Sequence, residues 1–361
     1  MKTTKTLNVF YNNTIVGRLA MTRDRLCAFE YDTEWLQNGF SISPFKLPLE
    51  KRVFVASRDP FDGNFGVFED SLPDGWGRLL IDRMLRKNNI NPAELSVIDR
   101  LAIVGNSGMG ALEYRPENIL TTSSNNNDLD FLAAECAKVL NDEYSENLDK
   151  LVNIGGSSGG ARPKGLLKIN DADWIIKFRG SSDPKDIGKQ EYDYSVLARR
   201  AGLNMPETNL FNGKYFGVQR FDRKMNGTKV HVLSASGLLN ASHRMPTIDY
   251  IDLLKATHLL TRDIREVEKM FRLMCFNVFM HNRDDHTKNF SFIYEDDKWS
   301  VSPAYDLVYS DGPGGEHTTP ISGNGKNPTE VDILKVADAV GISKLKAENI
   351  IDEVKNGIKK L

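Results

Sequence analysis

The run Arg283-Asp284-Asp285-His286-Thr287-Lys288-Asn289, with a further Asp at 306, has the residue types and spacing that phosphoryl transfer requires. In such chemistry one Asp accepts the proton of the attacking hydroxyl, an Asn five residues on holds Mg²⁺, and another Asp holds the metal from the other side. Asp284, Asn289 and Asp306 fill those places. An Asp followed at the fifth position by Asn is a weak signal alone, because chance supplies it in a chain rich in both. The segment between gives it weight. Phe290-Ser291-Phe292-Ile293-Tyr294 predicts a strand, Glu295-Asp296-Asp297 a turn, and Trp299-Ser300-Val301 the returning strand. A short hairpin leaves its two ends side by side, so Asn289 and Asp306 are expected to converge. Two oxygen ligands there suit a hard cation that keeps waters and phosphates as its other ligands.

Other segments could supply the phosphate grip. Gly155-Gly156-Ser157-Ser158-Gly159-Gly160-Ala161-Arg162-Pro163-Lys164 precedes a hairpin. Its glycines let backbone N–H groups approach an anion closely, although a Gly/Ser run also serves as a plain linker. It matches neither a Walker A motif nor the G-x-G-x-x-G pattern. Lys177 sits within the apolar strand Trp174-Ile175-Ile176-Lys177-Phe178, where an ammonium needs either a route to the surface or an anionic partner. In the second case it grips nucleotide phosphates, with Glu191 at the start of the next helix as its orienting carboxylate. His286 is either a structural hydrogen-bonder or a substrate contact. Lys288 either neutralises the transferring phosphate or is solvated. Zinc chemistry is disfavoured, since the histidines show no i,i+4 pair and no cysteine partners.

These groups must be positioned by a chain of 361 residues, enough for two or three domains, with a net charge of −2 and a pI near 6.3. That balance exerts no global pull on nucleic acid or anionic membrane. No apolar run is long enough to span a bilayer, the N-terminus lacks a signal-peptide pattern, and Cys27, Cys136 and Cys275 are odd in number without paired spacing. A cytoplasmic protein is expected. In the N-terminal third, Leu7 to Tyr11 and Thr14 to Leu19 flank Asn12-Asn13, a hairpin turn. Asp74 after Pro73 is expected to cap a helix from Gly75 to about Lys87. The polar run from Thr121 to Asp128 reads as a linker. Hairpins are expected from about Leu151: one around Asn170 to Asp173, another around Asn212-Gly213, and a strand at Lys229 to Leu233. A helix from Glu191 to Ala201 is closed by Gly202. Helices follow residue 240, among them one whose Val267, Met270, Phe271, Met274, Cys275 and Val278 keep a 3.6-residue period. Thr329 is placed to cap another, and a last covers Ser343 to Lys355. The Gly/Pro-rich stretch from Ser310 to Pro328 reads as a long flexible loop in the place of an activation or substrate loop.

Taken together, the Gly/Ser loop, Ile175-Ile176-Lys177, Gln219-Arg220-Phe221-Asp222-Arg223, the Asp284-to-Ser291 segment and Pro303-Ala304-Tyr305-Asp306-Leu307 resemble the HipA family, the serine/threonine kinase toxins of bacterial type II toxin–antitoxin systems. The resemblance covers nearly the whole chain, with residues 7 to about 115 similar to the family's N-terminal subdomain and 151 to about 340 to its kinase core. It implies that Asp284 is the catalytic base, that Asn289 and Asp306 bind Mg²⁺, and that Lys177 contacts the phosphates of ATP. It further implies nucleotide contacts from Ser158, Gly159, Gly160, Ala161, Arg162 and Lys164 of the loop, from Ser234 and Ser236 of the hinge, and from His286, Lys288 and Tyr305. Ser157 falls where the family autophosphorylates, with Ser158 adjacent. Arg162 and Pro163 depart from the family's loop, and the hinge, Leu233 to Ser236, lacks acidic residues, which leaves adenine to the backbone.

The expected fold is α+β: a two-lobed, protein-kinase-like, HipA-like fold with an additional N-terminal α/β subdomain and an α-helical C-lobe. The expected boundaries are residues 1–118 for the N-terminal subdomain, 119–150 for a linker and helix, 151–239 for the kinase N-lobe and 240–361 for the C-lobe. The resemblance implies an ATP- and Mg²⁺-dependent protein kinase acting on a translation component such as an aminoacyl-tRNA synthetase. It also implies a HipB-like helix-turn-helix antitoxin as partner, DNA contact only through that antitoxin, and no membrane association. Two other readings stand beside it: a catalytically weak antitoxin- or repressor-binding module, and a small-molecule phosphotransferase.

Overall fold

A computed structural model of the chain describes residues 4–121, 128–243, 245 and 248–359. The expected linker at 121–128 therefore lies almost wholly outside the described residues. The chain forms two compact units, Met1–Lys189 with Thr208–His231, and Gln190–Glu207 with Val232–Leu361.

In the first unit, strands β1 (Thr6–Tyr11), β2 (Thr14–Met21), β3 (Cys27–Tyr31), β4 (Phe54–Val55) and β5 (Leu112–Arg115) make an antiparallel sheet in the order β4-β3-β2-β1-β5. Asn12 and Asn13 take φ of +44° and +68°, the left-handed pair that a two-residue hairpin needs and that Asn tolerates. A second antiparallel sheet joins β6 (Lys164–Ile169), β7 (Ala172–Lys177), β8 (Thr208–Phe211) and β9 (Tyr215–Gln219) in the order β6-β7-β9-β8. Its first turn is the pair Asn170-Asp171, at φ +49° and +61°, so Ala172 and Asp173 belong to the strand and not to the four-residue turn expected. Ahead of these hairpins, Leu148–Gly155 is a helix with Leu148, Leu151, Val152 and Ile154 buried along one side.

One hydrophobic core runs through this unit. Trp76, Leu80 and Met84 of the helix Gly75–Lys87 pack with Leu132 and Val139 of the helix Leu129–Leu140, with Leu151 and Ile154, and with Leu167, Trp174 and Ile176 of β6 and β7. The helix Gly75–Lys87 of the N-terminal third and the hairpins thus share one core within this unit. A buried ionic lock reinforces the unit. Asp222 is fully buried; Arg220 grips both its carboxylate oxygens at 2.9 and 2.7 Å, Arg223 adds a bond of 2.8 Å, and Gly110 N–H donates at 2.7 Å. The same arginines donate to the carbonyls of Gly108 and Gly110, on the loop before β5. Burial pushes the Asp222 carboxyl up, but the guanidinium of Arg220 leads the groups that outweigh it and hold it below its usual range.

The second unit is mainly helical. Helix Ile264–Phe279 buries Val267, Met270, Phe271, Met274, Cys275 and Val278, the periodic set read from sequence. Tyr250–Thr261 packs beside it, and Thr329 and Asp332 form a reciprocal cap at the start of Glu330–Ala339. A three-stranded sheet, β10 (His231–Ser234), β11 (Ser291–Glu295) and β12 (Lys298–Val301), completes it in that order. The three cysteines are free and buried, and burial pushes the Cys27 thiol up to about 12, which makes it inert. Among the described residues no helix is long and apolar enough to cross a membrane.

Asp222→Ala leaves two largely buried guanidinium groups without their anion, and is expected to lower the unfolding free energy by about 3–5 kcal/mol. Urea unfolding measures this directly; an unshifted midpoint means that the lock contributes nothing.

Candidate active site

The acidic constellation is built where helix Ile264–Phe279 stops. His281 turns the chain at φ +52°, and a short 3₁₀ turn, Thr287–Asn289, leads into β11. Within this loop Asn289 N–H donates to the carbonyl of His286 at 2.8 Å, and its side-chain Nδ2 donates to the carbonyl of Asp284 at 2.7 Å. With the amide nitrogen so engaged, Oδ1 is the atom left to accept or ligate. The hairpin β11–β12 turns at Asp296-Asp297, φ +50° and +56°, with Phe292 opposite Val301 and Glu295 opposite Lys298. Its far end is pinned to its near end. Tyr305 Oη donates to the carbonyl of Lys288 at 2.6 Å and shares a 2.5 Å hydrogen bond with Ser291 Oγ. Lys288 and Tyr305 are the chain neighbours of Asn289 and Asp306, so these bonds hold the two expected metal ligands at the same end of the hairpin. Asp306 lies at φ +56°, a left-handed conformation that costs a non-glycine residue about 1 kcal/mol or more and that persists where the surroundings impose it.

Asp284 is exposed, while the adjacent Asp285 is completely buried. The Asp285 carboxylate accepts hydrogen bonds from Tyr250 Oη at 2.8 Å, His317 Nδ1 at 2.8 Å and Thr319 N–H at 3.2 Å, and its carbonyl accepts from Thr319 Oγ1 at 2.6 Å. Asn277 supports Tyr250 at 3.0 Å and is itself bonded by Asn282 at 3.0 Å. Burial, and then the Asp285 charge, push the Tyr250 hydroxyl far above its ordinary pKa, so it remains a donor. Thr318 N–H adds a bond to the carbonyl of Arg283 at 3.1 Å, and Ser322 and Gly323 N–H donate to the Asp249 carboxylate. Residues 317 to 323 of the stretch expected to be a flexible loop are therefore tied to Arg283, Asp285 and Asp249, because their N–H groups find carboxylates and carbonyls instead of water.

Other expected site residues have mixed fates. His286 Nε2 lies 4.0 Å from Asp284 Oδ1, and its ring is 5.9 Å from that of His243. Ser234 Oγ caps the helix Ala235–Leu239 by accepting from Gly237 N–H, and buried Ser236 Oγ donates to the carbonyl of Ala241. The hydroxyl bonds of both serines thus serve the turn and helix that follow β10, and the backbone of this segment is the part left for the adenine contact expected from sequence. Glu191 is buried near the start of helix Ile187–Arg200, in the second unit.

Ser157 to Lys164 and Lys177 belong to the first unit. Lys164 and Lys177 are directly opposite each other across the β6–β7 ladder, both half-buried. The strand alternation that puts Trp174 and Ile176 in the core places Lys177 on the other face. Arg162 pairs with Asp183 at 3.1 Å, and that carboxylate also accepts from Gly180 N–H. Ser158 is buried and directs both its N–H and its hydroxyl to the carbonyl of Gly155, so neither donor faces a ligand. Ser157 is half-buried, with Oγ donating to the carbonyl of Ser107 at 3.0 Å.

A family profile described as HipA-like C-terminal domain matches residues 156–361, and one described as HipA N-terminal domain matches residues 7–115. The chain belongs to the HipA family. A protein of Sinorhizobium fredii (strain NBRC 101917 / NGR234) named "Putative kinase Y4mE" is 27% identical over 350 residues, 85% of this chain and 77% of that protein. A second from the same organism, "Putative kinase Y4dM", is 26% identical over 153 residues, 37% of each. Among solved structures, the HipA toxin of Shewanella oneidensis MR-1, in complex with HipB and operator DNA, is similar with a TM-score of 0.74 at 18% identity, covering 98% of this chain and 88% of that chain. That likeness is one of fold, and it agrees with the α+β, HipA-like, kinase-like architecture expected.

As a ligand set, Asp306 and Asn289 fit a hard cation whose remaining ligands come from water and phosphate. Among the described residues no cluster of three or more His, Cys, Asp or Glu offers a self-sufficient metal cage. What sequence reading missed in this HipA-family chain is the support: Asp285, Tyr250, His317 and Thr319. The doubled Asp at 284–285 was the available signal, since two adjacent carboxylates leaving one turn face different surroundings.

His317→Phe keeps an aromatic ring in place and removes one of the donors to Asp285. It is expected to cost about 1–3 kcal/mol, read as a lower urea midpoint at an unchanged m-value. No shift would mean that the pair is incidental.

Proposed function

We propose that this HipA-family chain is an ATP- and Mg²⁺-dependent serine/threonine protein kinase. The observation that carries the reading is the closure of the catalytic loop and hairpin by Tyr305 on Lys288 and Ser291, which sets Asn289 and Asp306 together beside an exposed Asp284. Asp284 takes the proton of the acceptor hydroxyl as that oxygen bonds to the γ-phosphorus; the bond from phosphorus to the bridging oxygen breaks, and ADP leaves with the electron pair. Lys177 and Lys164 grip phosphate, a role supported by their opposed positions on the ladder. Asn289 Oδ1 and the Asp306 carboxylate would hold Mg²⁺, which would supply charge neutralisation at the phosphoryl group. The acceptor is a Ser or Thr of a protein of the translation apparatus, such as an aminoacyl-tRNA synthetase. The Shewanella protein, described in complex with HipB and operator DNA, supports an antitoxin as partner and DNA contact through it; that the antitoxin is a helix-turn-helix protein and that the pair works in the cytoplasm are parts of the same proposal.

Asp284→Ala and Asp306→Ala are each expected to reduce transfer of labelled phosphate from ATP to protein by at least about 100-fold while the chain stays folded. Undiminished labelling in both variants removes the kinase assignment. Labelling of a metabolite extract in place of protein redirects it to a small molecule.

The kinase is switched by phosphorylation of its own Gly/Ser loop. Ser157 is the acceptor in this proposal, because its hydroxyl is partly accessible whereas Ser158 is buried on Gly155. Mass spectrometry of protein made with Asp284 intact should find phosphate on Ser157 and none in the Asp284→Ala variant. Phosphate confined to other residues sinks this assignment.

A further inference from the structure

The Gly/Ser loop is held by a turn in the N-terminal third whose role no nucleotide chemistry explains. Asp74 occupies the N-cap position of helix Gly75–Lys87 in extended conformation, φ −116° and ψ −176°, the place where Asp ordinarily accepts from its own helix. It makes no such bond. Its Oδ1 accepts from Gly160 N–H instead, and Trp76 N–H donates to the carbonyl of Gly160 at 3.0 Å. Both the N–H and the C=O of Gly160 are thus taken by the first residues of one helix. The two glycines of that turn are what let the loop in. A Cβ on Gly75, which stands at φ +37°, would meet the Gly160 carbonyl oxygen at 2.5 Å, and one on Gly77 would meet the Ser158 carbonyl oxygen at 2.4 Å. A second hold lies at Ser157, bonded to Ser107 in the loop whose Gly108 and Gly110 carbonyls Arg220 and Arg223 fix. The anchor itself is rigid, since Trp76, Leu80 and Met84 share the core of β6 and β7.

We infer that Asp74 is a positioning residue for nucleotide binding: it sets the loop's conformation before the phosphates arrive, so the N-terminal third is part of the nucleotide grip. The inference rests on the nucleotide-binding role proposed above. An untethered loop loses conformational freedom on ordering around a ligand, and a loop already latched avoids much of that loss. A diverted N-cap forgoes the helix stabilisation that an Asp in this place ordinarily gives, so the latch is maintained against a local preference.

The test compares Asp74→Ala, which frees Gly160 N–H, with Asp74→Asn, whose Oδ1 still accepts from it. In the full-length chain, Asp74→Ala should raise KM for Mg·ATP about 10-fold with kcat changed less than 3-fold, and Asp74→Asn should lie within 3-fold of the parent on both. Amide hydrogen exchange at residues 157–162 should be faster in Asp74→Ala, with exchange in β6 and β7 unchanged. An unaltered or lowered KM in Asp74→Ala, or an Asp74→Asn variant as impaired as the alanine, overturns the proposal. If the parent protein binds no Mg·ATP, the kinase reading fails separately. The exchange arm then decides for the latch when 157–162 loosen in Asp74→Ala, and against it when they do not.

Discussion

The buried carboxylate of Asp285 is the constraint on which the acidic site depends. Four groups converge on this one residue: a phenol from helix Tyr250–Thr261, an imidazole and an amide N–H from the stretch after Asp306, and a threonine hydroxyl on its carbonyl. A buried carboxylate that accepts hydrogen bonds on both oxygens is stable where an unpaired one is not. The consequence for chemistry is geometric. Asp284 is the next residue back, so fixing Asp285 fixes the origin of the exposed acid. Asn289 is then tied to the carbonyl of Asp284 and Tyr305 to that of Lys288, so these expected site residues are positioned by main-chain atoms close to them in the chain.

The first unit solves a related problem with the same chemistry. Asp222 accepts from two guanidinium groups and from Gly110 N–H, and those arginines reach on to the carbonyls of Gly108 and Gly110. Asp74 accepts from Gly160 N–H. In each case an irregular, glycine-containing stretch that no helix or strand could stabilise is fixed by a carboxylate from a packed element. Irregular backbone has polar groups that regular structure would have paired, and a carboxylate is an economical way to pair them because its hydrogen bonds are charge-assisted. The glycines supply close approach; the carboxylates supply the fixed conformation.

How much of this was legible in the sequence follows from the range of the interactions. Hairpins at Asn12-Asn13 and Asn212-Gly213, the apolar side of helix Ile264–Phe279 and the hairpin between Asn289 and Asp306 depend on contacts within a few residues, and their patterns could be read. Asp74 could not. Its local signal, an acid after Pro and before a helix, is that of an ordinary cap, and a partner 86 residues away in sequence outcompetes it. Tyr250 and His317 lie 35 and 32 residues from Asp285, with no periodicity to link them. The helix Leu148–Gly155 was hidden for another reason: its C-terminal end runs into glycines, whose loop signal overrides the apolar spacing of Leu148, Leu151 and Val152. The Arg220-to-Arg223 motif was visible as a family mark, but its physical task, holding the loop before β5, depended on a separation of more than 100 residues.

A last consequence concerns where mobility can reside in such a molecule. Glycine-rich sequence is commonly taken as a sign of motion, and both the 155–164 and 310–325 stretches invite that reading. Yet Gly160 has both sides of its peptide plane occupied, and the stretch around His317 to Gly323 donates to Asp285, Arg283 and Asp249. Each of these bonds is individually worth about 1 kcal/mol, or about 1.5–3 kcal/mol when the acceptor is charged. Several in one short segment make opening a cooperative event and not a gradual loosening. Motion in either stretch must therefore begin by breaking a named carboxylate contact, and any group that competes for the same N–H donors, a phosphate above all, has the chemistry to do it.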